Sequence, residues 1–515
     1  MEVRNAGDLW TLEQEIKSLL SKYDLDTALW TLGQRRELLN GDLPDETAFI
    51  IAGFAMFALR FCTPPIMRNS RSISMEEGDF RAAKGLVSKY LLADPISFSA
   101  SPQNNSPFTS TMLRLVGNQF TFSVTFWGQP ARALHMFSEI PKRLSNKREL
   151  KSFDFNGSFQ DLNGVSLDDF ALIGTASYAA ANSSIGFTGG WFVKAREQGL
   201  TLPDQQTVIK VMDILAGDQW QHHDTYEKYR QENRDFAAYN FNSLYVYPLI
   251  RPWRKTLDIA VDEDRYIAPL PDLILARLTD GIYEQLREKY KKKFSDAFGL
   301  IFEEYVGDVL KNSINPKFLL TESDVRKTYR SRQGKTPDFV AIEGKRATFF
   351  ECKTLRFSRK ALALGDEQAI NNTLKELVEG LLQLVEFQQA CREQKVGNKK
   401  LNDLSEINLV VVTFGQLHLI NSAPFRDEIS KRLSEKLGLP TQSLPRWQVL
   451  SLSQLEAIQP HISAGGSLAE TVNRLSAKQF NEVLKELHER TGATFENSFL
   501  YPEFMRLFER LGVPS

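Results

Sequence analysis

The sequence predicts a multidomain chain: a mostly α-helical N-terminal half, an α/β domain whose mixed sheet is flanked by helices, and a helical C-terminal segment. Three observations predict it. Apolar residues recur at three- and four-residue spacing from Asp8 to about Gln231. Short strand-like runs then interleave with helical stretches between about residues 294 and 455. From Ser467 the helical spacing returns. The expected divisions are therefore residues 1–240 (helical), 241–293 (connecting strand and helix), 294–455 (α/β) and 456–515 (helical).

In the first division, LWTLEQEIKSLLSKY and FRAAKGLVSKYLLA carry the helical spacing, and polar breaks at Ala100–Pro107 and around Asn156–Asn163 mark loops. The strongest apolar run, Ala48–Leu59, is twelve residues long and stopped by Arg60. It is short of the ~20 residues that span a bilayer, so a buried helix is expected and no membrane segment. The start, MEVRNAGDLW, has no apolar core after a basic stretch, so no export signal is expected. Near Asn240, NSLYVYPLIRPW reads as an extended segment ended by prolines, followed by helices in PDLILARLTDGIYEQLREKYKKK and FSDAFGLIFEEYVGDVLKN. FLLTE, PDFVAIE, ATFFECK, INLVVVTF and WQVLSL are the strand candidates. Helices at about Glu367–Gln394 and Pro424–Leu437 separate the later ones.

With 42% hydrophobic and 25% charged residues, the composition is globular and excludes disordered and fibrous classes. Basic and acidic residues number 63 and 64, so any polyanion-binding surface must be a local patch. Three cysteines, Cys62, Cys352 and Cys391, are too few for a disulfide framework and suit a reducing, cytoplasmic setting.

The chemistry concentrates in TPDFVAIEGKRATFFECKT, residues 336–354. A two-residue turn at Gly344-Lys345, with glycine first as a type II′ turn prefers, pairs Glu343 with Arg346, Ile342 with Ala347 and Val340 with Phe349. Asp338 then falls opposite Glu351. Opposed residues have Cβ atoms ~5 Å apart, and like charges there are destabilising unless neutralised. A divalent cation is the natural neutraliser, since Mg²⁺ binds through one or two carboxylates with waters and phosphate oxygens. Lys353 shares the face of Glu351, while Phe350 and Cys352 point to the opposite face. An ammonium there could orient a metal-bound water or offset charge on a phosphate.

Pro337-Asp338, twelve intervening residues and Glu351-Cys352-Lys353 resemble the PD-(D/E)XK nuclease superfamily, the restriction-endonuclease-like fold, over residues 294–455. The resemblance implies that Asp338 and Glu351 bind Mg²⁺, with Mn²⁺ as substitute, and that Lys353 assists the attacking water. It also implies an added acid on the preceding helix. Glu303 is favoured over Glu304, because Gly299 to Glu303 matches the family's G-x-x-F-E pattern. Some branches carry a Gln with a Tyr four residues on. Here Gln383 is followed by Phe387, and Gln383 is left outside the expected site.

Between Asp324 and Lys360 eleven basic residues face four acids. Arg326, Lys327, Arg330, Arg332, Lys335, Arg356, Arg359 and Lys360 are thereby expected to contact nucleic-acid phosphates. The expected function is a Mg²⁺-dependent nuclease acting on double-stranded DNA, with the helical half as a recognition or regulatory module. A role in bacterial restriction or anti-phage defence is an analogy from domain arrangement. An RNA-cleaving effector, an inactive nucleic-acid-binding or scaffold protein, and homo-oligomerisation all stay open.

Gly334-Lys335-Thr336 mimics the end of a P-loop, but Tyr329 stands where its glycine belongs, so no ATP site is expected. His222-His223-Asp224 lacks a second ligand cluster and is expected at the surface.

Overall fold

The computed structural model describes residues 6–34, 44–64, 75–92, 128–230, 240–252, 264–315, 318–329, 334–417 and 419–513. These are mostly helical, with two small mixed sheets.

Helices α1 (Ala6–Leu20), α2 (Leu25–Gln34), α3 (Pro44–Phe61) and α4 (Glu77–Leu92) bury Leu9, Ile16, Phe54 and Phe80 in one core. The apolar run Ala48–Leu59 lies within α3, and no helix among the described residues is long and apolar enough to cross a membrane. Leu244, Ile250, Ile267, Leu270 and Leu273 join this core, so residues expected to be connecting pack with the N-terminal helices.

Next come α5 (Arg148–Lys151), α6 (Leu167–Ser183), α7 (Asp272–Tyr290) and α8 (Lys292–Lys311). Ser166 starts α6 by accepting from the Asp169 N–H, satisfying an amide the helix cannot. Among these helices lies a sheet of which the sequence reading held only the extended segment at residues 249–250, with β1 (Gly186–Thr188), β2 (Ala216–Gly217), β3 (Leu249–Ile250) and β4 (Arg265–Ile267) in the order β1-β4-β3-β2. Its strands are two or three residues long, too short for a period-two pattern to show.

The second sheet orders β5 (Leu319–Thr321), β6 (Phe339–Glu343), β7 (Arg346–Lys353), β8 (Glu406–Thr413) and β9 (Trp447–Ser451) side by side. β5, β6 and β7 pair antiparallel, whereas β7, β8 and β9 pair parallel. All five strands coincide with the expected segments. An additional helix, α9 (Glu322–Thr328), fills the link from β5 to β6 and starts with a capping box from Thr321 and Asp324. The parallel crossovers carry α10 (Glu367–Arg392) and α11 (Ala423–Leu437).

The sheet is buried on both sides. Val340, Ile342 and Phe349 face a core with Leu377, Leu381 and Leu384 of α10, while Phe339, Ala341 and Phe350 face Phe298 and Phe302 of α8. The α8-side core also takes Phe137, Phe155 and Phe170 from the N-terminal half, together with Leu455, Leu487 and Leu507 from the C-terminal helices. Burial thus unites residues on both sides of the expected boundaries at 294 and 455.

Candidate active site

The hairpin is built as its turn dictates. Gly344 has φ 67° and Lys345 does not share the left-handed region, which fits a type II′ rather than a type I′ turn. Its register pairs Glu343 with Arg346, Ile342 with Ala347 and Val340 with Phe349. Phe339↔Phe350 is the last pair of the ladder; beyond it the chain bends at Asp338, whose N–H donates to the Phe350 carbonyl at 3.0 Å, so the expected Asp338–Glu351 pair is not part of the ladder.

Glu351 is 3% exposed, and both its oxygens are engaged. Lys353 Nζ donates to Oε1 at 2.7 Å and Gln383 Nε2 to Oε2 at 2.6 Å. Gln383 also donates to the Thr336 carbonyl at 2.8 Å. The approach of α10 that permits this depends on Gly380, where a Cβ would stand 3.1 Å from Lys353 Cε and 3.4 Å from Glu351 Cγ. Asp338 Oδ2 accepts from the Cys352 N–H at 2.7 Å.

Glu303 arrives from the opposite side of the sheet, on α8. This helix sits close to β6 at Gly307, where a Cβ would be 2.9 Å from Phe339 Cζ, and Glu303 lies one turn before on the same helix face. Glu303 makes no hydrogen bond or ion pair among the described residues. Burial, then the charges of Asp338, Glu322 and Glu304, push its carboxyl up to about 7. Burial also raises Asp338, against the pull of the Cys352 N–H and Lys353. Burial and then Asp338 raise Glu351, with Lys353 opposing. Burial pulls Lys353 down, but Glu351 outweighs it and holds the ammonium above its ordinary range. The three carboxylates therefore act on one another through their charges, and Lys353 is bonded to one of them, Glu351.

Their chemistry fits a hard divalent cation: carboxylate oxygens only, mutually repelling, with Glu303 uncommitted. Among the described residues no three Asp, Glu, His or Cys side chains stand close enough together to hold a metal ion in this arrangement. The ion pair of Lys353 with Glu351 and the bond from Gln383 occupy the oxygens that such an ion would take.

Among the described residues, those expected to bind phosphate differ in their surroundings. Arg326 pairs with Glu322 at 2.7 Å and Lys327 with Asp324 at 3.1 Å, on exposed α9. Arg356 turns inward to Glu284 at 3.2 Å and Asp280 at 3.6 Å on α7, and its charge is engaged there. Arg359 lies 5.6 Å over the Phe241 ring, on the wall of a cavity of about 160 Å³. Lys335 and Lys360 are exposed and unpaired among the described residues, and Arg330 and Arg332 lie outside them.

Four neighbours were not assigned from sequence. Gln383 was visible, but its partner tyrosine was missing. Phe387 stands there instead and packs on Phe349 at 5.3 Å and Tyr329 at 5.7 Å. Gly380 and Glu322 reach the site by packing, Lys147 only through its charge, and none carries a local signal. Cys352 packs toward the α8 core, and burial and Asp338 hold its thiol well above the usual range, so it is no nucleophile. His222 is a correction: it is 1% exposed, with Nδ1 2.6 Å from Ser243 Oγ, because the helix Gln219–Lys228 turns that face inward.

Comparison with protein-family models, with curated proteins and with solved structures returned no match for this chain.

Proposed function

We propose that the chain is a metal-dependent nuclease of restriction-endonuclease-like fold that hydrolyses phosphodiester bonds, with DNA as its expected substrate. The observation that carries this reading is the Lys353–Glu351 pair on the hairpin beside Asp338, with the charge of Asp338 acting on both Glu351 and Glu303.

Asp338, Glu351 and Glu303 would hold a Mg²⁺ ion. When bound, such an ion polarises the phosphate and lowers the pKa of a coordinated water. Lys353 supplies a charge that a pentacovalent phosphate, more negative than the ground state, attracts more strongly. Glu351 aims that ammonium through its 2.7 Å bond. Gln383 holds Glu351 in turn and ties it to the chain just before Asp338. Without an ion, burial and neighbouring carboxylates raise the Glu303 carboxyl to about 7, and a cation held there would keep it ionised. Stacked aromatic rings of α8, Phe294, Phe298 and Phe302, keep the sheet side of that helix dry.

The test is incubation of the purified protein with plasmid, linear duplex, single-stranded DNA and RNA, in Mg²⁺, in Mn²⁺ and in chelator. Metal-dependent cutting that disappears in both Glu351→Ala and Lys353→Ala, each still folded, is the expected result. Full engagement of Glu351 by Lys353 and Gln383 favours a second reading, a protein that binds nucleic acid without cutting it. Metal-independent binding with every substrate intact would establish that reading and overturn the first.

A further inference from the structure

We propose that the phosphodiester backbone of a polynucleotide lies along a basic strip outside the motif, formed by Lys147, Arg148 and Lys151 together with Lys291, Lys292 and Lys293. The destination of the strip rests on the nuclease reading; the strip itself rests on separate observations.

Residues from His135 to Phe153 run antiparallel to α8, contact by contact. His135 Nε2 is 2.9 Å from Asp308 Oδ2, and Arg143 reaches Asp308 at 2.6 Å and Glu304 at 3.1 Å. Lys147 acts on the Glu303 carboxyl, and Phe153 packs 5.8 Å from Phe294 and 5.3 Å from Tyr290. Between those last two levels Lys147, Arg148 and Lys151 stand exposed beside α8. The turn into α8 continues the line with exposed Lys291, Lys292 and Lys293.

None of these six side chains has a hydrogen bond or ion pair among the described residues. Residues 145–153 and 287–295 hold eight basic and two acidic residues, in a chain whose totals are 63 and 64. One of the two acids, Glu288, faces Lys228 at 3.4 Å. Unpaired like charges held in a row repel one another, and a linear polyanion relieves that repulsion and releases counterions. The twelve residues from Lys291 to Glu303 cover ~18 Å of helix at ~1.5 Å each, roughly five base-pair steps of ~3.4 Å. A strand on this line would run to the carboxylates. An anionic membrane fits less well, since among the described residues none of the exposed large apolar side chains, Trp10, Leu162, Trp220, Phe318 and Leu439, belongs to either segment of the strip.

The test is fluorescence anisotropy in chelator, with labelled duplex DNA, the matching single strand and the RNA of the same sequence. The proteins are the wild type, K147E/R148E/K151E, K291E/K292E/K293E and the control R81E/R506E, at two exposed arginines paired with Glu77 and Glu503. Each strip triple is expected to lose affinity about tenfold or more and to flatten the log–log salt slope by about 2 to 3. The control is expected to stay within about twofold of wild type. The tightest arm identifies DNA or RNA. Wild-type binding by both triples, no polynucleotide bound at low salt, or binding only to anionic vesicles would overturn the proposal. Strip-dependent binding without cleavage in Mg²⁺ overturns the nuclease reading alone. Metal-dependent cleavage that the triples leave unchanged overturns the strip alone.

Discussion

Gln383 donates to Glu351 Oε2 at 2.6 Å and, through the same amide nitrogen, to the Thr336 carbonyl at 2.8 Å. One side chain on α10 therefore joins the two halves of the motif, the segment before Asp338 and the acid Glu351. A hydrogen bond to a buried charged group contributes about 1.5 to 3 kcal/mol. Gln383→Leu is expected to lower kcat about ten- to a hundredfold, with a smaller change in KM and an intact fold. Steady-state cleavage kinetics beside circular dichroism check this. An unchanged kcat would leave Gln383 a purely structural residue.

Glu303 sets a pH dependence whose sign is fixed by its surroundings. Its folded carboxyl, near 7, lies above the ordinary 4.5, so the folded state binds the proton more tightly than the unfolded chain. That contribution to stability is full below pH 4.5 and is lost as pH rises through 7. Glu303→Gln has no proton to lose there. Relative to wild type without metal, the variant is expected to gain about 2 kcal/mol between pH 4.5 and pH 8, a screened part of the full shift. Denaturant melts in chelator at both pH values measure it. Mg²⁺ is expected to raise the wild-type Tm at pH 8 more than that of the variant.

Gly307 and Gly380 are both close-approach glycines, with opposite expected outcomes. A Cβ at Gly307 meets the buried Phe339 ring at 2.9 Å, so Gly307→Ala should move α8 and destabilise by about 1 to 3 kcal/mol. A Cβ at Gly380 meets Lys353 Cε at 3.1 Å, the far part of a flexible side chain. Helix propensity favours alanine by about 1 kcal/mol, so Gly380→Ala should keep or raise Tm while lowering cleavage. Thermal melts paired with activity separate the two.

Arg132 and Arg277 are both buried arginines but differ in their partners. Arg132 Nε donates to Glu456 Oε1 at 2.8 Å, so Glu456→Gln strands a buried charge and is expected to cost about 3 to 5 kcal/mol. Arg277 has no carboxylate partner among the described residues, and burial and Arg359 lower its guanidinium to about 10. Arg277→Met is therefore expected to be neutral or to stabilise by up to about 4 kcal/mol. Chemical denaturation of both variants reads the contrast.

The hairpin was legible because its determinants are local. A glycine able to take φ 67° sets a two-residue turn, and the pleat then places each pair from Glu343–Arg346 to Phe339–Phe350 by counting; the count fails one step on, where the chain bends at Asp338. The strands β5 to β9 and the helices α10 and α11 were legible for a similar reason: each is long enough, or apolar enough, to show its own period. The sheet β1-β4-β3-β2 was not, since strands of two or three residues form only where neighbouring helices bring them together.

What the sequence determined alone was therefore the hairpin's turn, its register from Glu343–Arg346 to Phe339–Phe350 and the face of each of those strand residues. The tertiary structure decided which charges are available. Arg356, expected at phosphate, is paired with Glu284 and Asp280 of α7, and the charge of Lys147, unremarkable in its own segment, acts on the Glu303 carboxyl. Covalent geometry fixes pairing within a hairpin over a few residues. Electrostatic partnership falls off with distance in space, so residues far apart in the chain set it once the core has packed.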